Sequence, residues 1–259
     1  MWECGIFDRS HSGDHISSNL ARMTDVPWQT RSVRSSAQTP PSLDPQEIPA
    51  ILRPSMRGTF HRGSIPVAIV LTVVLALRAP TGGTLAAVIV YGVCVTGMLT
   101  VSGVYHSSRL AASGSQRVLR RLDHSMILVG IAGTYTAVIV LGLDGATRVV
   151  LLVIAWVIAA AGVAIRMLWL DAPSGLVAAV YLVAGWQALL DVPAYARGLT
   201  GAELALLAVG GAMYTIGALV YALRRPNPWP AVFGYHEVFH ALVVAAALAH
   251  WCGIFLLTG

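Results

Sequence analysis

The stretch YHEVFHALVVAAALAHWCGIFLLT, residues 235–258, decides how this chain is read. Beyond His240 its only polar side chains are those of His250 and Thr258. About 20 apolar residues in a helix rising 1.5 Å each cross the ~30 Å hydrocarbon core of a bilayer. A chain in lipid must satisfy its backbone hydrogen bonds within the segment, so a run of this kind is a helix. Working back towards the N-terminus, six more runs of similar character fall at about 61–79, 83–106, 123–143, 149–168, 175–194 and 202–223. Turn formers separate them: Pro80 to Gly83, Asp144-Gly145, Asp171 to Gly175, Arg197-Gly198 and Pro226-Asn227-Pro228. The expected architecture is an all-α integral membrane protein, with a bundle of seven transmembrane helices occupying residues 51–259.

Composition agrees. Hydrophobic residues make up 56% of the chain and charged ones 11%, against roughly 25% charged in a soluble domain. The net charge of +5 comes from arginine, because the 17 basic residues include no lysine. These arginines sit in short loops between apolar runs, which argues against a nucleic-acid surface and leaves membrane lipids as the expected partners. Residues 1–50 are rich in Ser, Asp, Arg, Pro and His and hold no apolar run, so they are expected to form a disordered polar tail. Cys94 and Cys252 fall inside spans and read as apolar thiols, with no CxxC pattern to suggest a metal or redox site.

The arginines also orient the chain. With the N-terminus cytoplasmic, the inner loops and flanks hold Arg53, Arg57, Arg62, Arg109, Arg117, Arg120, Arg121, Arg166, Arg224 and Arg225, and the outer ones only Arg78, Arg148 and Arg197. Positive residues favour the inside, so the chain is expected to run N-in and C-out. Small residues recur in spans three and six, at Gly130, Gly133, Thr134, Gly210, Gly211, Thr215 and Gly217, where they favour close helix packing.

Ionisable residues within spans carry the functional signal, because Asp at mid-helix costs about 2.5–3.5 kcal/mol on insertion scales. Span two ends on Ser102 and His106, span three opens on Asp123 and His124, and span seven opens on His236, Glu237 and His240. Span parity puts all three groups in one leaflet. His236 and His240 lie one turn apart and share a helix face, as do Ser102 and His106. Three imidazoles and a carboxylate can then converge. Three protein ligands with a fourth position left for water is the pattern of a catalytic zinc site, which names His106, His236 and His240 as ligands. The bland alternative is that these histidines hydrogen-bond between helices. Asp123 reads either as a helix N-cap at the membrane surface or as a group beside the metal. His124 points about 100° away from Asp123 and reads as packing. His250 stands about 15 Å along the helix from His240 and reads as structural.

Residues 236–240 also spell H-E-x-x-H, in which a metalloprotease uses the glutamate as general base. An intramembrane protease of that kind needs a later Asp ligand. The one LDG sequence, Leu143-Asp144-Gly145, comes earlier in the chain and lies in the opposite leaflet by parity.

A family resemblance covers nearly all of residues 53–257. It is carried by Arg53-Pro54, Arg57-Gly58 and His61 before span one, and by Ser102-Gly103-Val104-Tyr105-His106 at the end of span two. It continues in Arg120-Arg121-Leu122-Asp123-His124-Ser125, in Ala132-Gly133-Thr134-Tyr135-Thr136, and in residues 233–240. With these motifs in this order the chain resembles the bacterial hemolysin III membrane proteins, relatives of the progestin and adipoQ receptors and of alkaline ceramidases. The resemblance implies zinc bound by His106, His236 and His240, with Ser102 and Asp123 in the same pocket. The animal receptors differ at the position of Glu237, which counts against that residue as an essential base.

Three functions are consistent with these features. The first is a zinc-dependent hydrolase of lipid amides or esters, in which Asp123 takes a proton from water and Ser102 hydrogen-bonds the water or the carbonyl oxygen. The second is a receptor-like or sensor protein with structural zinc, and the third is a cytolytic channel. No span carries a repeated polar stripe of the kind that lines an aqueous pore. The orientation itself is testable. A reporter fused to the C-terminus is expected to be active only outside the cytoplasm, and cytoplasmic activity would reverse the N-in assignment.

Overall fold

The computed structural model describes residues 54–80, 82–107, 114–169 and 171–259. The expected disordered tail at 1–50, together with Arg53, Arg109 and Cys4, lies outside the described residues. The elements are α1 (Thr59–Arg78), α2 (Gly83–Ser107), α3 (Gly114–Gly142), α4 (Gly145–Leu168), α5 (Ser174–Gly185), a 3-10 turn (Gln187–Asp191), α6 (Val192–Gly198), α7 (Gly201–Leu223) and α8 (Tyr235–Leu257). Seven spans are long and apolar enough to cross a membrane, the fifth being built from α5, the 3-10 turn and α6. The chain is a multi-pass membrane protein. Among the described residues there is no strand, only an isolated bridge between Trp229 and Phe233 in the loop before α8.

Two expected boundaries shift, each for a visible reason. Helix α3 starts at Gly114, nine residues ahead of the expected opening at 123. Asp123 therefore lies about 13 Å into the helix and is not its N-cap. The fifth span does not run unbroken from 175 to 194. Its α-helix stops at Gly185, and a new one starts at Val192 with Pro193 in its first turn and the Asp191 carboxylate accepting from Ala194 N at 3.0 Å. Proline has no N–H to continue a helical ladder and its fixed φ suits a helix start, the place Pro193 takes in α6, although α1 carries Pro66 in its interior. Backbone groups freed in a membrane need another partner. Tyr135 of α3 supplies it, its hydroxyl donating to Gly185 O at 2.6 Å and accepting from Ala188 N at 3.1 Å.

The starts of α7 and α8 are capped by glutamate side chains. Thr200 and Glu203 form a reciprocal box at the start of α7, with Glu203 Oε2 accepting from Thr200 N at 2.6 Å. Glu237 does the same for α8 through its own Oε2, which accepts from Gly234 N at 2.9 Å.

Helix α2 packs most extensively on α3, and α7 on α8; α1 lies against α2, and α4 against α3. The buried core includes Leu75, Val88, Tyr91, Ile139, Leu143 and Ile254, towards the ends of α1, α3 and α8 that lie away from Thr59 and Tyr235. Val67, Ile69, Val70, Val73 and Leu77 of α1 stay exposed, as apolar side chains do on a lipid-facing surface. Small residues set the close approaches. A Cβ placed on Gly133 would stand 2.5 Å from Cys94 Cβ on α2, and one on Gly210 would overlap the His250 ring on α8. Cys94 and Cys252 are free thiols, the former buried.

Gly133→Ala gains about 1 kcal/mol of helix propensity but incurs an overpacking cost of ~1–3 kcal/mol. Its unfolding midpoint in detergent is expected to fall. Gly63→Ala, where nothing lies within 4 Å of the added methyl, should leave the midpoint unchanged or raise it. A Gly133→Ala protein as stable as Gly63→Ala would contradict this packing.

Candidate metal centre

The start of α1, the end of α2, the early part of α3 and the start of α8 meet at one end of the bundle. The segment before α1, residues 54–58, is a strap that ties them together. Ser55 N and Met56 N donate to Ala231 O (3.1 Å) and Val232 O (3.2 Å) of the loop leading into α8, and the Phe60 ring meets Phe233 edge to face. Gly58 takes the left-handed conformation, φ 74°, and a Cβ there would lie 2.8 Å from His106 Cβ. Glycine adopts that conformation without the cost an L side chain incurs. It also lets the backbone close over His106.

At this end the imidazoles of His106, His236 and His240 converge. One ligand atom from each lies within 4.8 Å of the others, a group that could hold a metal ion. The Nε2 atoms of His106 and His236 are 3.1 Å apart. The ring of His240 tilts against both, its centroid 4.9 Å from that of His106 and 4.5 Å from that of His236. The i, i+4 spacing on α8 supplies two of the rings and the last turn of α2 the third.

The other expected residues fall in distinct places. Asp123 Oδ2 lies 3.7 Å from His106 Nε2, on the face of α3 turned to the cluster. Ser102 is buried one turn before His106 and hydrogen-bonds the Asp123 carboxylate. His124 hydrogen-bonds Arg120 O at 2.7 Å through Nδ1. His250 contacts Leu207 O at 3.1 Å, a helix-to-helix bond well away from the cluster.

Glu237 stands between His236 and His240 in sequence but faces away from them. One carboxylate oxygen caps α8 at Gly234 N, and the other lies 2.9 Å from Arg57 Nε in an ion pair that is not aligned as a hydrogen bond. With both oxygens engaged and only 1% exposure, this carboxylate ties the pre-α1 segment to α8. Asp144 of the LDG sequence is exposed at the far end of α3, paired with Arg148 at 2.6 Å. These positions give the H-E-x-x-H sequence no protease geometry.

Two neighbours of the cluster were not named as site residues by sequence reasoning. His61 is buried against His240, with ring centroids 3.9 Å apart, and the Tyr221 ring lies 5.8 Å from that of His236. The leaflet test that found the other histidines would also have found His61, since the start of span one shares a side with the end of span two.

A seven-helix, multi-pass membrane protein with a histidine cluster at one end of its bundle is the class that fold and site define. Residues 50–251 match the family described as Haemolysin-III related, and the chain belongs to that family. It is 30% identical over 193 residues to a Hemolysin-3 homolog of Bacillus subtilis, covering 74% of this chain and 86% of that protein. Hemolysin-3 of Bacillus cereus is 28% identical over the same length, covering 74% and 84%. A shorter match, 36% over 88 residues, links it to the Adiponectin receptor protein of Drosophila melanogaster, covering 31% of this chain and 18% of that one.

Gly58→Ala forces a side chain into the left-handed region at about 1–2 kcal/mol and pushes it onto His106. A lower unfolding midpoint and displaced His106 ring resonances by NMR are expected, while an unchanged midpoint and spectrum would contradict the close approach of the strap.

Proposed function

We propose that the cluster is a zinc site and that the protein is a zinc-dependent hydrolase of lipid amides or esters. The observation that carries this reading is the convergence of three imidazole nitrogens with a carboxylate 3.7 Å from one of them, at one end of an apolar bundle. Tetrahedral zinc with Zn–N bonds of ~2.0–2.1 Å needs nitrogens about 3.3 Å apart. The observed separations, from 3.1 Å to at most 4.8 Å, are within small ring rotations of that value. Neutral imidazoles suit zinc, and three of them leave a fourth position for a small molecule.

A zinc ion held there supplies Lewis acidity and lowers the pKa of water towards ~7. The chain's own groups provide the rest. Asp123 receives the proton of the attacking water and returns it to the leaving amine or alcohol, while the Ser102 hydroxyl holds the carboxylate in place. The apolar helices admit an acyl chain from the lipid. Glu237 is not available as a base, because both of its oxygens are engaged.

The name of the Bacillus cereus relative, Hemolysin-3, points to cytolysis, and that of the Drosophila relative, an adiponectin receptor, to reception. These are the competing readings. Protein purified into lipid is expected to hold one zinc per chain, to lose it on the double change His236→Ala and His240→Ala, and to keep it on His250→Ala. Asp123→Asn should retain zinc yet lose at least tenfold in turnover of a lipid amide such as a ceramide, with Glu237→Gln affecting turnover less. Zinc content unaffected by the double change would remove the metal site. Zinc-loaded protein that turns over none of a broad panel of lipid amides and esters would leave zinc in a structural role.

A further inference from the structure

His61 is 3% exposed in the first turn of α1. Among the described residues, neither of its ring nitrogens has a hydrogen-bond partner. An unsatisfied buried polar group is destabilising, and with no hydrogen bond to hold it the ring makes its contact through its face. Its nearest ring is His240, which it meets face to face with centroids 3.9 Å apart and planes 4° from parallel.

A fourth imidazole beside three others can join the ligand set or can hold one of the ligands. The ring planes decide between these roles. A metal binds histidine along the in-plane lone pair of a ring nitrogen, so an ion bound by His240 lies close to the plane of that ring. The lone pair of His61 runs parallel to that plane, on the neighbouring level of the stack, and is not directed at the same ion. The histidines whose ligand atoms gather within 4.8 Å are His106, His236 and His240, without His61.

The parallel ring closes one face of His240. His240 also meets the rings of His106 at 61°, His236 at 55° and Phe239 at 59°, so its imidazole sits among four rings. A metal withdraws electron density from the ring that binds it, and the face of a neutral aromatic neighbour favours a ring polarised in that sense. The strap fixes where His61 stands, through the Gly58 backbone against His106 and the Arg57 side chain on Glu237.

We propose that His61 is a positioning residue of the histidine cluster, stacking on His240 so that its ring is held in the orientation that binds metal together with His106 and His236. The proposal rests on the zinc reading of that cluster. Immobilising one side chain in advance of binding corresponds to about tenfold in affinity. Because the stacked face does this work, a phenyl ring should replace the imidazole.

The test compares wild type, His61→Phe, His61→Ala and His240→Ala, each as the full chain in lipid nanodiscs. Zinc affinity is read by competition with a chromophoric chelator, and ligand geometry by the visible spectrum of the cobalt-substituted protein. The order of the His240 ring is read by NMR of nitrogen-15 histidine in metal-stripped protein. His61→Phe is expected within about twofold of wild-type zinc affinity, with an unchanged cobalt spectrum and an ordered His240 ring. His61→Ala is expected about tenfold weaker, with an altered spectrum and a mobile ring. Wild-type affinity and ring order in His61→Ala would overturn the proposal. So would loss of zinc in His61→Phe as complete as in His240→Ala, which would make the His61 nitrogens ligands. Should His61→Ala not accumulate, His61→Leu, which fills the space without an aromatic face, takes its place with the same expected and overturning results. If wild-type protein holds no zinc, the zinc reading fails by itself, and the ring order in metal-stripped protein still decides whether His61 holds His240.

Discussion

A polar side chain inside a bundle of apolar helices has no water to fall back on, and that constraint organises this molecule. Each imidazole or carboxylate carried into a span needs a partner supplied by another span or by a ligand. The sequence carries few such groups, and most of them meet at one end. His106, His236 and His240 gather there with Asp123 and Ser102, while Tyr135 serves the broken fifth span elsewhere. These polar contacts constrain how the helices are rotated and how deep they sit.

Close packing makes those contacts possible. Van der Waals contact replaces the hydrophobic effect as the force between helices in lipid, so small residues matter where backbones touch. Gly133 lets α3 lie against Cys94 of α2, which keeps Asp123 of α3 within reach of His106 and Ser102 of α2. Gly58 does the same for the strap before α1. A residue with a side chain there could not sit against His106 in a left-handed turn.

The H-E-x-x-H run shows how neighbours decide the meaning of a local motif. Its histidines face the cluster as the helical repeat requires. Its glutamate occupies the third position of α8, where a carboxylate satisfies the free N–H at the helix start, and Arg57 takes the remaining oxygen. Spacing alone could not separate a base from a cap, because both use the same residue at the same offset. The free backbone donor and the nearby arginine separate them.

The sequence by itself determined the number and nature of the spans, because hydropathy and the cost of unpaired backbone in lipid act locally and are written in consecutive residues. It also determined which histidines share an end of the bundle, since span parity is a matter of counting. The tertiary structure decided what depends on contacts between distant segments. Asp123 reads equally as a cap or as a pocket group until α3 is seen to begin at Gly114. Ser102 and Asp123 become neighbours through the packing of α2 on α3. The stacking of His61 on His240 joins residues 179 positions apart, and no periodicity within either helix encodes it. Helix rotation and depth arise from packing among all the spans at once, and pattern within one span cannot fix them.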